Sequence, residues 1–306
     1  MLFRSHKMQR QKLGNTDLVV TRLGVGLGEI GRDLTLLDED QAALVLNGAL
    51  DSAVNFLDTA ACYGFAEELI GRTIADRLHE YILATKAGHV VEGYEGEPWT
   101  ATTIRDSIDR SLVRMQTDYV DLLQLHSCTV EILERGEVIQ ALQDARRAGK
   151  ARYIGYSGDG EAARWAIERG VFDTLQTSFN LVDQRARKEL FPDARAKGMG
   201  IIAKRPLANA VWGQPVSPSE ATAEYHHRAR QMAEMGPIPG APEEPIALAL
   251  GFTLAHEEVD TAIVGTSDPA HMRDNIDYVE TLLPIPAEVV RELRRRFDVI
   301  SQERSA

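Results

Sequence analysis

Apolar and β-branched residues gather in eight short runs, at 23–26, 54–60, 81–87, 119–126, 151–157, 174–180, 200–206 and 261–266. Between the runs, apolar residues return at helical spacing, as in 101–115, 130–148 and 162–169. That spacing belongs to helices burying one face. Gly149 and Gly170 stand where helix C-caps are expected. Strands alternating with helices predict a parallel sheet covered by helices. Eight βα units in a chain of this length predict an α/β fold closed as a (β/α)8 TIM barrel.

Two segments fall outside the repeat. Residues 9–20 read as an N-terminal β-hairpin turning at Gly14-Asn15-Thr16-Asp17, placed to plug the bottom of the barrel. Residues 208–245 hold six prolines and no strand pattern, which predicts a long functional loop or lid at the barrel mouth. Within it, Trp212 is expected in a pocket wall, and His226 and His227 at the loop surface. A C-terminal helix begins near Pro286. Residues 1–306 read as one domain, without an internal boundary or repeat.

The competing architecture is an open doubly wound sheet. Its support is Gly24-Val25-Gly26-Leu27-Gly28-Glu29-Ile30-Gly31. A dinucleotide fingerprint lies between strand and helix, with an acid about 20 residues further on. Here the glycines begin inside the strand, so they read instead as places where backbone approaches a ligand.

Charge narrows the function classes. Lys and Arg number 34 and Asp and Glu 46, giving a net charge of −12. That balance argues against nucleic acid or an anionic membrane as partner, because phosphate binding needs clustered cations. No window approaches the roughly 20 apolar residues of a membrane span. The first residues, MLFRSHKMQRQK, are basic without a following apolar stretch and do not read as a secretory signal. Two cysteines, Cys62 and Cys128, are too few for a disulfide framework and predict reduced thiols in the cytoplasm. With His89 and His126 they lack zinc-like spacing, so no metal is expected.

In a barrel the chemistry lies at the C-terminal strand ends. There the sequence places Asp58, Tyr63 just beyond it, Lys86 and His126. Each alone has an ordinary use, as a helix cap, a packing ring or a solvated charge. Together they form a proton device. A free tyrosine has a pKa of about 10, and a nearby ammonium lowers it. A carboxylate offsets the buried ammonium, and a histidine beside the phenol orients a carbonyl or relays a proton. Protonating a carbonyl oxygen is useful only if hydride reaches the carbon. No side chain delivers hydride, so a nicotinamide or flavin is implied.

These residues, in Asp58-Thr59-Ala60-x-x-Tyr63-Gly64, Thr85-Lys86 and Leu125-His126, resemble the ordered tetrad of the aldo-keto reductases. Lys12-Leu13-Gly14-x-Thr16 through Arg22-Leu23-Gly24 looks like that family's hairpin and first strand. Gly155-x-Ser157, Leu175-Gln176, Pro206-Leu207 and Val264-Gly265-Thr266-Ser267 through Asn275-Ile276 look like its later cofactor segments. The resemblance covers nearly the whole chain. It implies a barrel that binds NADP(H) in an extended pose and reduces an aldehyde, ketone or sugar carbonyl, or oxidises an alcohol in reverse. Tyr63 would be the general acid, Lys86 paired with Asp58 would lower its pKa, and His126 would position the carbonyl. Ser157 and Gln176 would hold the carboxamide. Gly26, Leu27 and Asp58, and the segment Lys204, Arg205, Pro206 and Leu207, would border the cofactor. Gly265, Thr266, Ser267, His271, Asp274 and Asn275 match its adenosine side.

The chain also departs from the family pattern. Gly158 follows Ser157 where Asn is usual, and Lys204 stands where many members place an aromatic ring. Gly265 and His271 occupy positions where many members carry Lys and Arg for the 2′-phosphate. A phosphomonoester favours charge-assisted partners, so NAD remains an alternative to NADP. The rival function is a non-catalytic subunit that senses nicotinamide nucleotide on the same barrel.

Overall fold

The computed structural model describes residues 8–91 and 93–302. Residues 1–7, on which the reading of the N-terminus partly rests, lie outside them. Two short strands, β1 (Arg10–Lys12) and β2 (Val19–Thr21), pair antiparallel as the expected hairpin. The first barrel strand is β3 (Leu23–Gly26), followed by α1 (Gly28–Asp33) and α2 (Glu39–Asp51). Then come β4 (Phe56–Asp58), α3 (Ala66–Thr73), β5 (Ile82–Ala87), α4 (Ala101–Met115) and β6 (Val120–His126). The next units are α5 (Val130–Arg135), α6 (Glu137–Arg147), β7 (Ala151–Ser157), α7 (Gly160–Arg169) and β8 (Thr174–Ser178). After α8 (Arg185–Glu189) and α9 (Phe191–Ala196) the chain enters β9 (Gly200–Lys204). It finishes with α10 (Ala223–Glu234), α11 (Pro245–Leu254), β10 (Thr261–Gly265), α12 (Pro269–Thr281) and α13 (Ala287–Gln302).

Strands β3 to β10 are parallel and close in chain order, with β10 beside β3 through Ala262↔Leu23 to Gly265↔Gly26. All eight expected strands are present, most of them a residue or two shorter at an end. The hairpin seals the lower end. Leu13, Leu18 and Val20 pack onto Phe56, Ala84, Leu122, Ile202 and Ile263 inside the barrel. Asp260 fastens it, accepting hydrogen bonds from Gly14 N at 3.2 Å, Gln11 Nε2 at 2.8 Å and Ile201 N at 2.8 Å. Gly14 has φ +54°, and a Cβ there would lie 2.2 Å from Gly200 N, so only glycine turns this corner.

Local chemistry sets the helix ends. The Thr100 side chain accepts from Thr103 N at 3.2 Å to start α4, and Asp268 accepts from Ala270 N at 2.7 Å to start α12. Two expectations change. The stretch 130–148 is two helices, because Gly136 adopts φ +76° and breaks the turn although the apolar spacing continues through it. The stretch 208–245 is not all loop, since it contains α10. His226 on that helix is buried against Gln214 O at 3.0 Å, so only His227 stays at the surface.

Candidate active site

Strand register gathers the polar residues at one end of the barrel. Across β5, β6, β7 and β8, Lys86 lies opposite Gln124, His126 opposite Ser157, and Ser157 opposite Gln176. Asp58 ends β4, and the turn after it brings Tyr63 back over the mouth. The Lys86 ammonium donates to Asp58 Oδ2 at 2.5 Å and to Thr59 O at 2.9 Å, and lies 3.4 Å from Tyr63 Oη. Asp58 Oδ1 accepts from both Gln124 Nε2 and Gln176 Nε2 at 2.8 Å. Gln176 Oε1 in turn accepts from Ser157 Oγ at 3.0 Å. The Asp58 and Lys86 side chains are 2% and 1% exposed, so the pair lies in low dielectric with its lone pairs and protons satisfied.

That setting fixes the protonation states. Burial disfavours the Lys86 charge, but Asp58 and Tyr63 together outweigh it and raise the ammonium's pKa above its ordinary value. Burial raises the Tyr63 phenol, and Lys86 only partly offsets this. The sequence expectation of a lowered tyrosine pKa is therefore corrected. Lys86 lowers it only relative to an equally buried phenol standing alone, and Tyr63 keeps its proton at neutral pH. Burial, then the charges of Lys86, His89 and Lys204, push His126 down to about 2, so its ring is neutral. The His126 and Tyr63 rings meet edge to face at 5.8 Å.

These groups open on a cavity of about 830 Å³. Gly26, Asp58, Tyr63, His126, Ser157, Gln176, Lys204, Arg205, Pro206, Leu207 and Gly265 line it. Lys86 sits behind this wall, and Leu27 is buried rather than lining. Beyond Gly265, the residues Thr266, Ser267, His271, Asp274 and Asn275 follow the β10–α12 corner and do not line the cavity. Ser267 Oγ donates to Asp33 at 3.1 Å, Asn275 is buried, and the His271 side chain is 70% exposed. Trp212 packs on the main core instead of forming a pocket wall.

Sequence reasoning missed several lining residues. Glu29 and Arg32 of α1 line the cavity, as do Ser127, Asn209, Ser219 and Thr222. Gln124, which holds Asp58, was legible in principle, because it is two residues from His126 on one strand and so shares its face. Backbone strain also marks the site: Ser127, Arg205, Asn209 and Ala210 line the cavity at φ +52°, +56°, +54° and +57°. Asn180 Nδ2 pins the strained Arg205 by donating to its carbonyl at 3.0 Å. Lys204 pairs with Asp159 at 3.2 Å.

The glycine-rich segment has a different use from the one expected of most of it. Gly26 and Gly28 do line the cavity. A Cβ on Gly31, however, would lie 2.1 Å from Tyr63 O, and one on Gly64 would lie 2.1 Å from Gly31 O. Gly24 faces Phe56 in the same way, with 2.9 Å between a Cβ and that ring. Gly31 and Gly64 let the Tyr63 turn seat against α1, and Gly24 makes room for the Phe56 ring.

Comparison with known proteins agrees with this geometry. The model of the Aldo/keto reductase family matches residues 22–295. L-galactose dehydrogenase of Arabidopsis thaliana is 30% identical over 288 residues, covering 90% of this chain and 89% of that protein. D-threo-aldose 1-dehydrogenase of a Pseudomonas species is 26% identical, covering 90% and 94%. The holo form of an aldo-keto reductase from Bacillus halodurans superposes with a TM-score of 0.81 at 28% identity, covering 94% of this chain and 96% of that one. On the family match, the relatives and the shared fold, the chain belongs to the aldo/keto reductase family of oxidoreductases.

Proposed function

We propose that this oxidoreductase reduces an aldehyde, ketone or sugar carbonyl to the alcohol, or runs the reverse, with NADP(H), and that it works in the cytoplasm. The observation that carries the reading is the Asp58–Lys86–Tyr63 chain ending beside a neutral His126 in one cavity. The protonated Tyr63 phenol is the acid that gives its proton to the carbonyl oxygen. Lys86, held by Asp58, stabilises the tyrosinate left behind. His126 holds the carbonyl oxygen within reach.

The cavity suits a nicotinamide cofactor. Its size falls in the ~300–1,000 Å³ range of cofactor sites. Lys204, Arg205 and Arg32 supply cations for phosphate, while Ser157 and Gln176 supply amide-binding groups near Tyr63. The chemistry the cofactor brings when bound is hydride, which no side chain can deliver. Thr266, Ser267, His271, Asp274 and Asn275 take the adenosine side, beyond Gly265. NAD(H) is the alternative, because His271 carries charge only when protonated and no lysine stands at 265. The names of relatives fit this substrate class, including an NADH-specific methylglyoxal reductase of Escherichia coli at 23% identity.

A panel of aldehydes, ketones and sugars, followed by NADPH and NADH absorbance, tests the proposal. Oxidation of either cofactor by wild type, lost in Tyr63→Phe, supports it. Tight cofactor binding without turnover of any carbonyl would instead give the nucleotide-sensing subunit.

A further inference from the structure

His126 has two ring nitrogens, and its neutral ring carries one proton. Which nitrogen holds that proton decides whether the ring offers a donor or an acceptor to a carbonyl in the cavity. A carbonyl oxygen needs a donor, so the tautomer matters to the proposed reaction.

The described residues give His126 a single side-chain hydrogen-bond partner. Cys62 Sγ lies 3.6 Å from Nδ1, within the range of a sulfur hydrogen bond. Nε2 has no partner among the described residues, although His126 lines the cavity. Cys62 is part-buried and free of any disulfide. Burial raises its pKa, so it is a thiol at neutral pH. Two arrangements of the contact are open: the thiol donates to Nδ1, or Nδ1–H donates to sulfur. An imidazole nitrogen is a good acceptor and a thiol sulfur a weak one, which favours the first. The proton of the ring then sits on Nε2, the nitrogen left for a ligand.

The other ring neighbours do not set the tautomer. His89 meets His126 edge to face at 4.7 Å, and Tyr63 does so at 5.8 Å, without a hydrogen bond to either nitrogen. Trp99 Nε1 fixes the position of the residue by donating to the His126 backbone carbonyl at 2.8 Å, which leaves the ring proton undetermined.

The geometry points to Cys62 as a positioning residue whose thiol holds His126 in the Nε2–H form, making it the hydrogen-bond donor to the substrate carbonyl. The role for the carbonyl rests on the carbonyl-reductase reading above. The tautomer itself does not.

The test uses full-length protein with 15N-labelled histidine. Long-range proton–nitrogen spectra report the tautomer, and the signal missing in His126→Gln assigns the ring. Wild type should show a protonated Nε2 and a bare Nδ1. Cys62→Val, close in volume but without a donor, should shift that population toward the other form and lower kcat by about tenfold, with cofactor affinity near wild type. Cys62→Ser keeps a donor and should lie between wild type and Val on both readouts. A packing role for Cys62 predicts the opposite order, with apolar Val ahead of polar Ser. That order, an Nδ1–H form in wild type, or an unchanged tautomer in Cys62→Val would overturn the inference. Failure of wild type to turn over any carbonyl would sink the proposed function while leaving the tautomer result readable.

Discussion

Removing Lys86 should expose how the buried charge pair is built. In Lys86→Met, Asp58 stays at 2% side-chain exposure and loses the one cationic partner it has among the described residues. At the 2.5 Å separation seen here, two unit charges in an effective dielectric of about 20 attract by about 6–7 kcal/mol. Much of that is cancelled by the several kcal/mol needed to desolvate each ion. The two amide donors from Gln124 and Gln176 remain and soften the loss. The single mutant should therefore lose about 3–5 kcal/mol, the usual cost of stranding one buried charge. The double mutant Asp58→Asn, Lys86→Met removes the stranded charge and should recover at least about 2 kcal/mol of the summed single losses. Urea unfolding followed by far-UV circular dichroism measures all four proteins of the cycle. A Lys86→Met loss below about 1 kcal/mol, or additive losses in the double mutant, would refute the account of Asp58 as a carboxylate that depends on Lys86.

Three other outcomes are expected. Tyr63→Phe should lower carbonyl turnover by about 10²–10⁴-fold with cofactor affinity near wild type, measured by steady-state kinetics and fluorescence titration. His256 is buried, bonded to Phe252 O and Arg294, and burial followed by the Arg294 charge holds it down to about 4. Its folded pKa lies below its unfolded value of about 6.5, so below that pH the unfolded chain takes up a proton the fold refuses. Its share of stability is thus full above about pH 6.5 and falls by roughly 3 kcal/mol toward pH 4; His256→Gln should flatten that slope in urea unfolding at about pH 7 and about pH 4.5. Finally, Asn209, Ala210, Pro218, Ser219 and Thr222 line the cavity, so the segment 208–222 should be cut by protease in the free protein and protected by NADPH. Equal cutting in both states would remove the case for a lid.

The barrel was legible because each strand is a compact β-branched run, and the grouping of Asp58, Tyr63, Lys86 and His126 because they stand at or just beyond strand ends that topology brings together. The misses have local causes. At Gly136 the chain changes direction without interrupting the apolar spacing, so periodicity joined two helices into one. Helix α10 has a polar composition and lies among six prolines, so it looked like loop; its burial of His226 depends on Gln214, which sequence alone does not place nearby. Glu29 and Arg32 look like solvated helix residues until the cavity is seen beside them. The direction of the Tyr63 pKa turned on how deeply the phenol is buried, which spacing does not report.

The contact between Gly31 and Gly64 acts as a mechanical stop for the turn that carries Tyr63. A first side-chain carbon on Gly64 would meet the Gly31 carbonyl oxygen, and one on Gly31 the Tyr63 carbonyl oxygen, each at 2.1 Å. A single methyl at either position should force the turn outward and carry the phenol away from Lys86, only 3.4 Å off at rest. The place of the phenol is thus set from behind the tyrosine, at two positions of which neither borders the cavity. A screen for slowed variants that searched only the cavity walls would overlook them, while a whole-chain screen should find both as loss-of-rate sites where the remaining protein still folds and still binds its cofactor.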